Sequence, residues 1–212
     1  MARRKPSNKM RVSLLTINFL VLITLAVFAK DNLVAELRHL LSADVSPDPS
    51  IIRSMGSIEV AFSPNAGATT AINRAIAKAE KSILVSAYSF TSQSIAQALL
   101  EAKKRNVMVK IILDKSQINQ RYSSSNFFAN QGFELRIDVK HAIFHNKVMI
   151  IDNDTLITGS FNFTKAAETK NAENVLIIRD NPELANLYTQ NWWFHWNQSL
   201  ARDAYFKKYK RK

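Results

Sequence analysis

Between residues 145 and 164 the chain reads HNKVMIIDNDTLITGSFNFT. His145, Lys147, Asp152, Ser160 and Asn162 are the side chains there whose types and spacing suit phosphoryl chemistry. An imidazole can attack phosphorus or carry a proton near neutral pH. An ammonium and a carboxamide supply donors to the equatorial phosphoryl oxygens, where charge collects in the transition state. Nothing in this set requires a metal ion.

Two apolar runs, 147–152 and 155–160, meet at Asn153-Asp154, a pair suited to a two-residue hairpin turn. With that turn Asp152 faces Thr155, Lys147 faces Ser160 and His145 faces Asn162. Side chains alternate along a strand, so residues 145, 147, 160 and 162 are expected on one face, with opposed Cβ atoms roughly 4.5–5.5 Å apart. Asp152 falls on the other face and is expected to be structural. A three-residue loop would break this register.

The pattern His145-x-Lys147-x4-Asp152-x6-Gly159-Ser160-x-Asn162 resembles the HKD signature of the phospholipase D superfamily. Its asparagine has the spacing of the small, single-motif nucleases. The run GSFNFTKAAETKNAENVLII, residues 159–178, is similar to the bacterial Nuc-type nonspecific endonuclease branch. The likeness extends over residues 57–198, and a pattern of several spaced identities is more specific than a single short motif.

That resemblance implies a role for each position. His145 is the nucleophile that forms a phosphohistidine, or the matching acid. Lys147 and Asn162 hold the phosphate, with Ser160 supporting them. Glu173 takes the place of the acid that orients the histidine. Asp152 holds the motif together from behind. The implied activity is a phosphodiesterase without cofactors. One substrate reading is DNA or RNA, cut with little sequence preference; the other is a phosphatidylcholine-like phospholipid. A third reading is a non-catalytic, membrane-tethered binding module, whose mark would be a damaged motif; none is visible.

The implied mechanism needs two histidines, one attacking in line and one protonating the leaving oxygen. His39, His141 and His195 each lack a lysine two residues later. The expectation is a homodimer that places one His145 from each subunit at a two-fold axis.

Strands and helices must position these groups. Strand patterns run over 58–62, 83–90, 107–113, 133–138, 147–152, 155–160 and 173–179, and helix patterns over 68–82, 92–105 and from Pro182 to Gln198. A polar, helix-compatible stretch covers 116–131. The alternation predicts an α/β fold: one domain, 57–200, with a mixed, mainly parallel β-sheet flanked by helices on both faces.

Composition narrows the rest. The chain has 212 residues, 47% hydrophobic and 22% charged, enough to form a packed core. It has no cysteine, which excludes disulfides, thiolate-held zinc, iron–sulfur clusters and thiol catalysis. The formal charge of +12 is concentrated at the ends. Residues 1–30 carry six basic and no acidic side chains, and 201–212 carry six basic and one acidic. Behind the first basic cluster, residues 12–29 are uncharged. As a helix they would span about 27 Å. Residues 1–29 therefore read as a cleaved signal peptide or an uncleaved anchor, either of which delivers the remainder out of the cytoplasm to the periplasm or medium. Residues 30–56 read as a short helix and a Pro-containing linker.

Other features have plainer readings. His141 and His145 have i, i+4 spacing but precede a strand, and no partner ligand is evident, so no metal is expected. Trp192, Trp193, Phe194 and Trp196 suggest base stacking, yet their spacing favours a helix core. The basic tail 201–212 could follow a phosphate backbone or anionic lipid, or be a solvated terminus. Ser123, Ser124 and Ser125 read as a loop beside a helix.

Overall fold

The computed structural model describes residues 51–120 and 123–209. The expected export segment 1–29, the expected short helix and linker as far as residue 50, and the last three residues of the tail lie outside the described residues.

Strands form where β-branched and aliphatic residues cluster between turns. They are β1 (Ser57–Ser63), β2 (Ser82–Ala87), β3 (Met108–Asp114), β4 (Glu134–Asp138), β5 (Lys147–Ile151), β6 (Thr155–Gly159), β7 (Glu173–Arg179) and the short β8 (Leu200–Ala201). One eight-stranded sheet contains them in the order β1-β7-β6-β5-β2-β3-β4-β8. The helices are α1 (Ala68–Ala77), α2 (Gln93–Lys104), α3 (Ser125–Asn130), α4 (Lys165–Thr169), α5 (Pro182–Gln198) and α6 (Arg202–Tyr209).

The α/β class and the helices on both faces hold, but parallel pairs do not predominate. Only β2–β3 and β3–β4 are parallel. The other five pairings are antiparallel. The reason is partly local: β5 and β6 are joined by residues 152–154 alone, too short for a crossover, and β1 docks antiparallel on β7.

Alternation sends one set of side chains to each face. Val85, Ile111, Met149, Ile157 and Ile177 meet α1 and α2 in the larger core. Leu84, Ile112, Val148, Ile150 and Leu156 meet α5 in the other. Along α2, Ile95, Leu99 and Ala102 are buried at helical spacing, and Ser92 caps the helix by accepting from the Ile95 N–H at 3.3 Å. On α5, Trp192 and Trp196 are buried, and the Trp192 indole donates to the Val85 carbonyl at 3.0 Å. The tryptophans of α5 therefore belong largely to the core.

The stretch 116–131 is not one helix. Asp114 accepts from the Ser116 N–H, starting a 3₁₀ turn at Lys115–Ile118, and α3 begins only at Ser125. The start of the tail is more structured than a solvated terminus. Leu200 pairs with Ile137 of β4, Tyr205 of α6 packs on the larger core, and Arg202 donates to Asn126 at 2.6 Å. Among the described residues no helix is long and apolar enough to cross a membrane.

Candidate active site

The strand directions bring five connections to one end of the sheet: those after β1, β2, β3, β4 and β6. β5 and β7 begin at that same end, with Lys147 and Glu173.

The β5–β6 register differs by one residue from the sequence expectation. Met149 pairs with Ile157 and Ile151 with Thr155, leaving a three-residue loop at 152–154. Asp152 and Asn153 both have φ 54°, and the Asp154 N–H closes the turn on the Ile151 carbonyl at 3.1 Å. Asp152 leaves the strand because its carboxylate is engaged elsewhere. It accepts from the N–H groups of Glu80, Lys81 and Ser82 at 2.9, 2.8 and 2.8 Å, clamping the start of β2. It stands at the end of β5 opposite to Lys147 and is not brought to the other motif residues.

In this register Lys147 shares its face with Ala87 of β2 and Glu173 of β7. Gly159, not Ser160, occupies the corresponding end of β6. Gly159 has φ 150°, and a Cβ there would lie 2.2 Å from the Asn174 carbonyl oxygen. That carbonyl accepts from the N–H groups of both Ser160 and Phe161. The glycine thus permits the close β6–β7 approach that turns Ser160 outward.

Ser160 donates to the Glu173 carboxylate at 2.6 Å and accepts from the Asn174 N–H at 3.1 Å. Asn171 donates to the other Glu173 oxygen at 3.0 Å. The Glu173 carboxylate is therefore occupied by Ser160 and Asn171, whereas the resemblance implies that it orients His145. Asn162 follows, half-buried, and its buried Oδ1 has no hydrogen-bond partner among the described residues.

His145 lies just before β5 rather than in it, exposed, between two anchors. On one side the buried Phe144 donates its N–H to Asp114 at 2.8 Å. On the other, the Asn146 carbonyl accepts from the Tyr88 N–H at 2.8 Å. The Tyr88 ring lies 4.8 Å from the imidazole, centroid to centroid, and Lys147 Nζ is 5.5 Å from that ring centroid. The ammonium also donates to the His145 carbonyl at 3.1 Å. Burial pushes Lys147 below the ordinary lysine value, and the Glu173 carboxylate opposes that shift. A partly desolvated cation beside an exposed imidazole is suited to hold an anionic group for attack.

Sequence reasoning missed Tyr88, Asn171 and Asn174. Tyr88 had a usable signal: it lies near the end of a strand pattern that leads into a helix, and strand C-terminal ends are where open α/β sheets place their sites. Asn171 stands in an irregular connection without a periodic signal, and Asn174 lies within β7, where strand alternation alone does not mark it as part of a site.

A family model described as "Cardiolipin synthase, PLD-like domain" matches residues 72–196. The chain is 45% identical over 139 residues to a phospholipase D of Rickettsia conorii, covering 66% of this chain and 69% of that one. A mitochondrial cardiolipin hydrolase of Chlamydomonas reinhardtii is 32% identical over 115 residues, covering 54% of this chain and 52% of that one. Among solved structures, the phospholipase D family member Nuc from Salmonella typhimurium is similar at 45% identity with a TM-score of 0.66, covering 68% of this chain and 97% of that one. With His145, Lys147, Ser160 and Asn162 gathered at one end of such a sheet, these likenesses are decisive at the family level: the chain belongs to the phospholipase D superfamily and is one of its phosphodiesterases.

Proposed function

We propose that the chain is an exported, metal-independent endonuclease that hydrolyses DNA and RNA phosphodiester bonds with little sequence preference. The observation that carries this reading is the charge and openness of the catalytic end. His145 and Ser160 are exposed, and Lys140, Lys165 and Lys170 are exposed on the connections beside them. The nearby acids are mostly committed: Asp114 and Asp138 are buried, and Glu168 accepts from the Thr69 N–H. An open cationic edge suits a polyanionic backbone that need not thread into a cavity.

The roles follow from the chemistry. His145 attacks phosphorus in line and forms a phosphohistidine, breaking the P–O bond to the leaving alkoxide. The His145 of a second subunit protonates that oxygen, then takes a proton from the water that hydrolyses the P–N bond. Lys147, Asn162 and Ser160 hold the equatorial oxygens, and Glu173 fixes Ser160 beside them. Asp152 supports the hairpin from its far end. Residues 12–29 supply the export or anchoring function.

A second reading has its own observation. Ile143, two residues before His145, is 57% exposed, and the Rickettsia relatives are named phospholipase D. An apolar side chain at the rim suits a lipid surface. Purified protein incubated in EDTA with plasmid DNA, and separately with phosphatidylcholine vesicles, distinguishes the two. Nicking and degradation of plasmid without choline release is expected. Choline release with intact plasmid would overturn the nuclease reading.

A further inference from the structure

We propose that Asp138, His141 and His195 form a site for one divalent transition-metal ion of the zinc type, separate from the phosphodiesterase centre. The three residues come from different elements: Asp138 ends β4, His141 lies in the β4–β5 connection, and His195 is in the last turn of α5. Each offers one ligand atom, and these atoms lie within 4.8 Å of one another. The sequence spacing pairs His141 with His145; the fold pairs it with His195 instead.

Two further observations point to a cation. Asp138 is fully buried, and its Oδ2 is 3.0 Å from His141 Nδ1. His195 Nδ1 is buried and has no hydrogen-bond partner among the described residues. A buried carboxylate beside an imidazole nitrogen with an unused lone pair is an arrangement that a metal ion completes. Zinc–nitrogen and zinc–oxygen bonds of about 2.0–2.2 Å place tetrahedral ligand atoms roughly 3.3 Å apart. The Asp138–His141 pair, 3.0 Å apart in a hydrogen bond that the ion would replace, is close to that separation. The His195 ring lies 5.0 Å from that of His141, centroid to centroid, and its ligand atom within 4.8 Å of the other two, so closing on an ion requires His195 to move nearer.

The surroundings orient the ligands. The second oxygen of Asp138 accepts from the His141 N–H at 3.1 Å, which fixes the carboxylate while Oδ2 faces the ion. Two imidazoles and one carboxylate favour zinc, cobalt or nickel over calcium or magnesium and leave a fourth position for water. Lys115 donates to the His141 carbonyl at 2.8 Å. Its charge opposes a divalent ion, so moderate affinity is expected. Bound, the ion would tie the connection that delivers His145 to the end of α5.

The test uses the full-length protein, stripped with chelator and titrated with zinc chloride against a chromophoric chelator, and with cobalt chloride followed by visible absorption. One equivalent per chain is expected, with ligand-field bands for cobalt. His141→Ala should weaken zinc binding at least about tenfold. His145→Ala should bind zinc as the parent does. Circular dichroism verifies that both variants remain folded, and His141→Gln supplies the same loss of ligand if the alanine variant does not. Absence of stoichiometric binding, undiminished binding after loss of His141, or loss of binding in His145→Ala would each overturn the site. None of these readouts depends on phosphodiesterase activity, so failure here leaves the proposed function standing.

Discussion

Ser160 donates its hydroxyl to Glu173 at 2.6 Å, joining the first residue after β6 to the first residue of β7. This bond holds a negative charge on the sheet face that also carries Lys147. The two charges are coupled: burial lowers the Lys147 pKa below 10.5 and Glu173 raises it. The pair therefore governs when the site loses its cation.

The sign follows directly. In the proposed mechanism Lys147 holds phosphate as an ammonium, so kcat/KM should fall on an alkaline limb that begins below the ordinary lysine range. Glu173→Gln removes the charge that supports the ammonium, and the limb should move to lower pH. Alkaline unfolding does not mimic this. With a lowered folded pKa, the unfolded chain binds more protons in that window, so this group's contribution to stability rises as pH climbs from the folded pKa toward 10.5. Steady-state pH profiles of both proteins, with melting curves at each pH, test it. An unmoved or raised limb in the variant would count against the coupling.

Asp152 should behave as a stability residue. Asp152→Ala leaves three N–H groups of residues 80–82 without their acceptor. They are largely solvent-accessible, so the expected loss is about 1–3 kcal/mol, seen as a lower urea midpoint. Turnover per folded molecule at low temperature should change by less than about threefold, because the carboxylate is at the far end of β5 from Lys147. A hundredfold loss of kcat in a fully folded variant would return Asp152 to the catalytic centre.

Trp192 separates core packing from base stacking. Its indole is buried, stacks on Trp196 at 4.8 Å between ring centroids, and donates to Val85. Trp192→Ala should cost about 3–5 kcal/mol through the cavity, besides stranding the Val85 carbonyl. Trp192→Phe should cost less and leave KM for nucleic acid unchanged. A raised KM in a stable phenylalanine variant would show that the ring meets substrate.

The element boundaries were legible where periodicity and caps agree. Glu173–Arg179 and Pro182–Gln198 match the patterns that predicted them. The failures have physical causes. Asp152 reads as the last residue of an apolar strand, but its bonds to residues 80–82 are long-range, and they decide a register that local turn chemistry assigns otherwise. His145, Lys147, Ser160 and Asn162 do converge on one end of the sheet, yet by strand ends and connections rather than by alternation along a hairpin, and Asp152 stands at the other end. β8 is two residues long and exists because β4 offers it an open edge. The Asp138–His141–His195 cluster was invisible for the same reason as Asp152: no sequence spacing links β4 to the end of α5.

The proposed sharing of the active site between two subunits makes a quantitative prediction. If each centre needs His145 from both subunits, a dimer of one parent chain and one His145→Ala chain has no complete centre. Co-refolding the two in equal amounts distributes subunits at random. Only parent–parent dimers then work, and activity should fall to about one quarter of that of the parent protein at the same total concentration. Monomeric centres, or dimers with independent sites, would retain about one half. Refolding the parent with an unrelated inactive protein controls for recovery. A value at one half, with dimers verified by sedimentation, would mean that one His145 per centre suffices and that another group protonates the leaving oxygen or the same imidazole serves twice. A value at one quarter would fix the role of the symmetry axis in the chemistry.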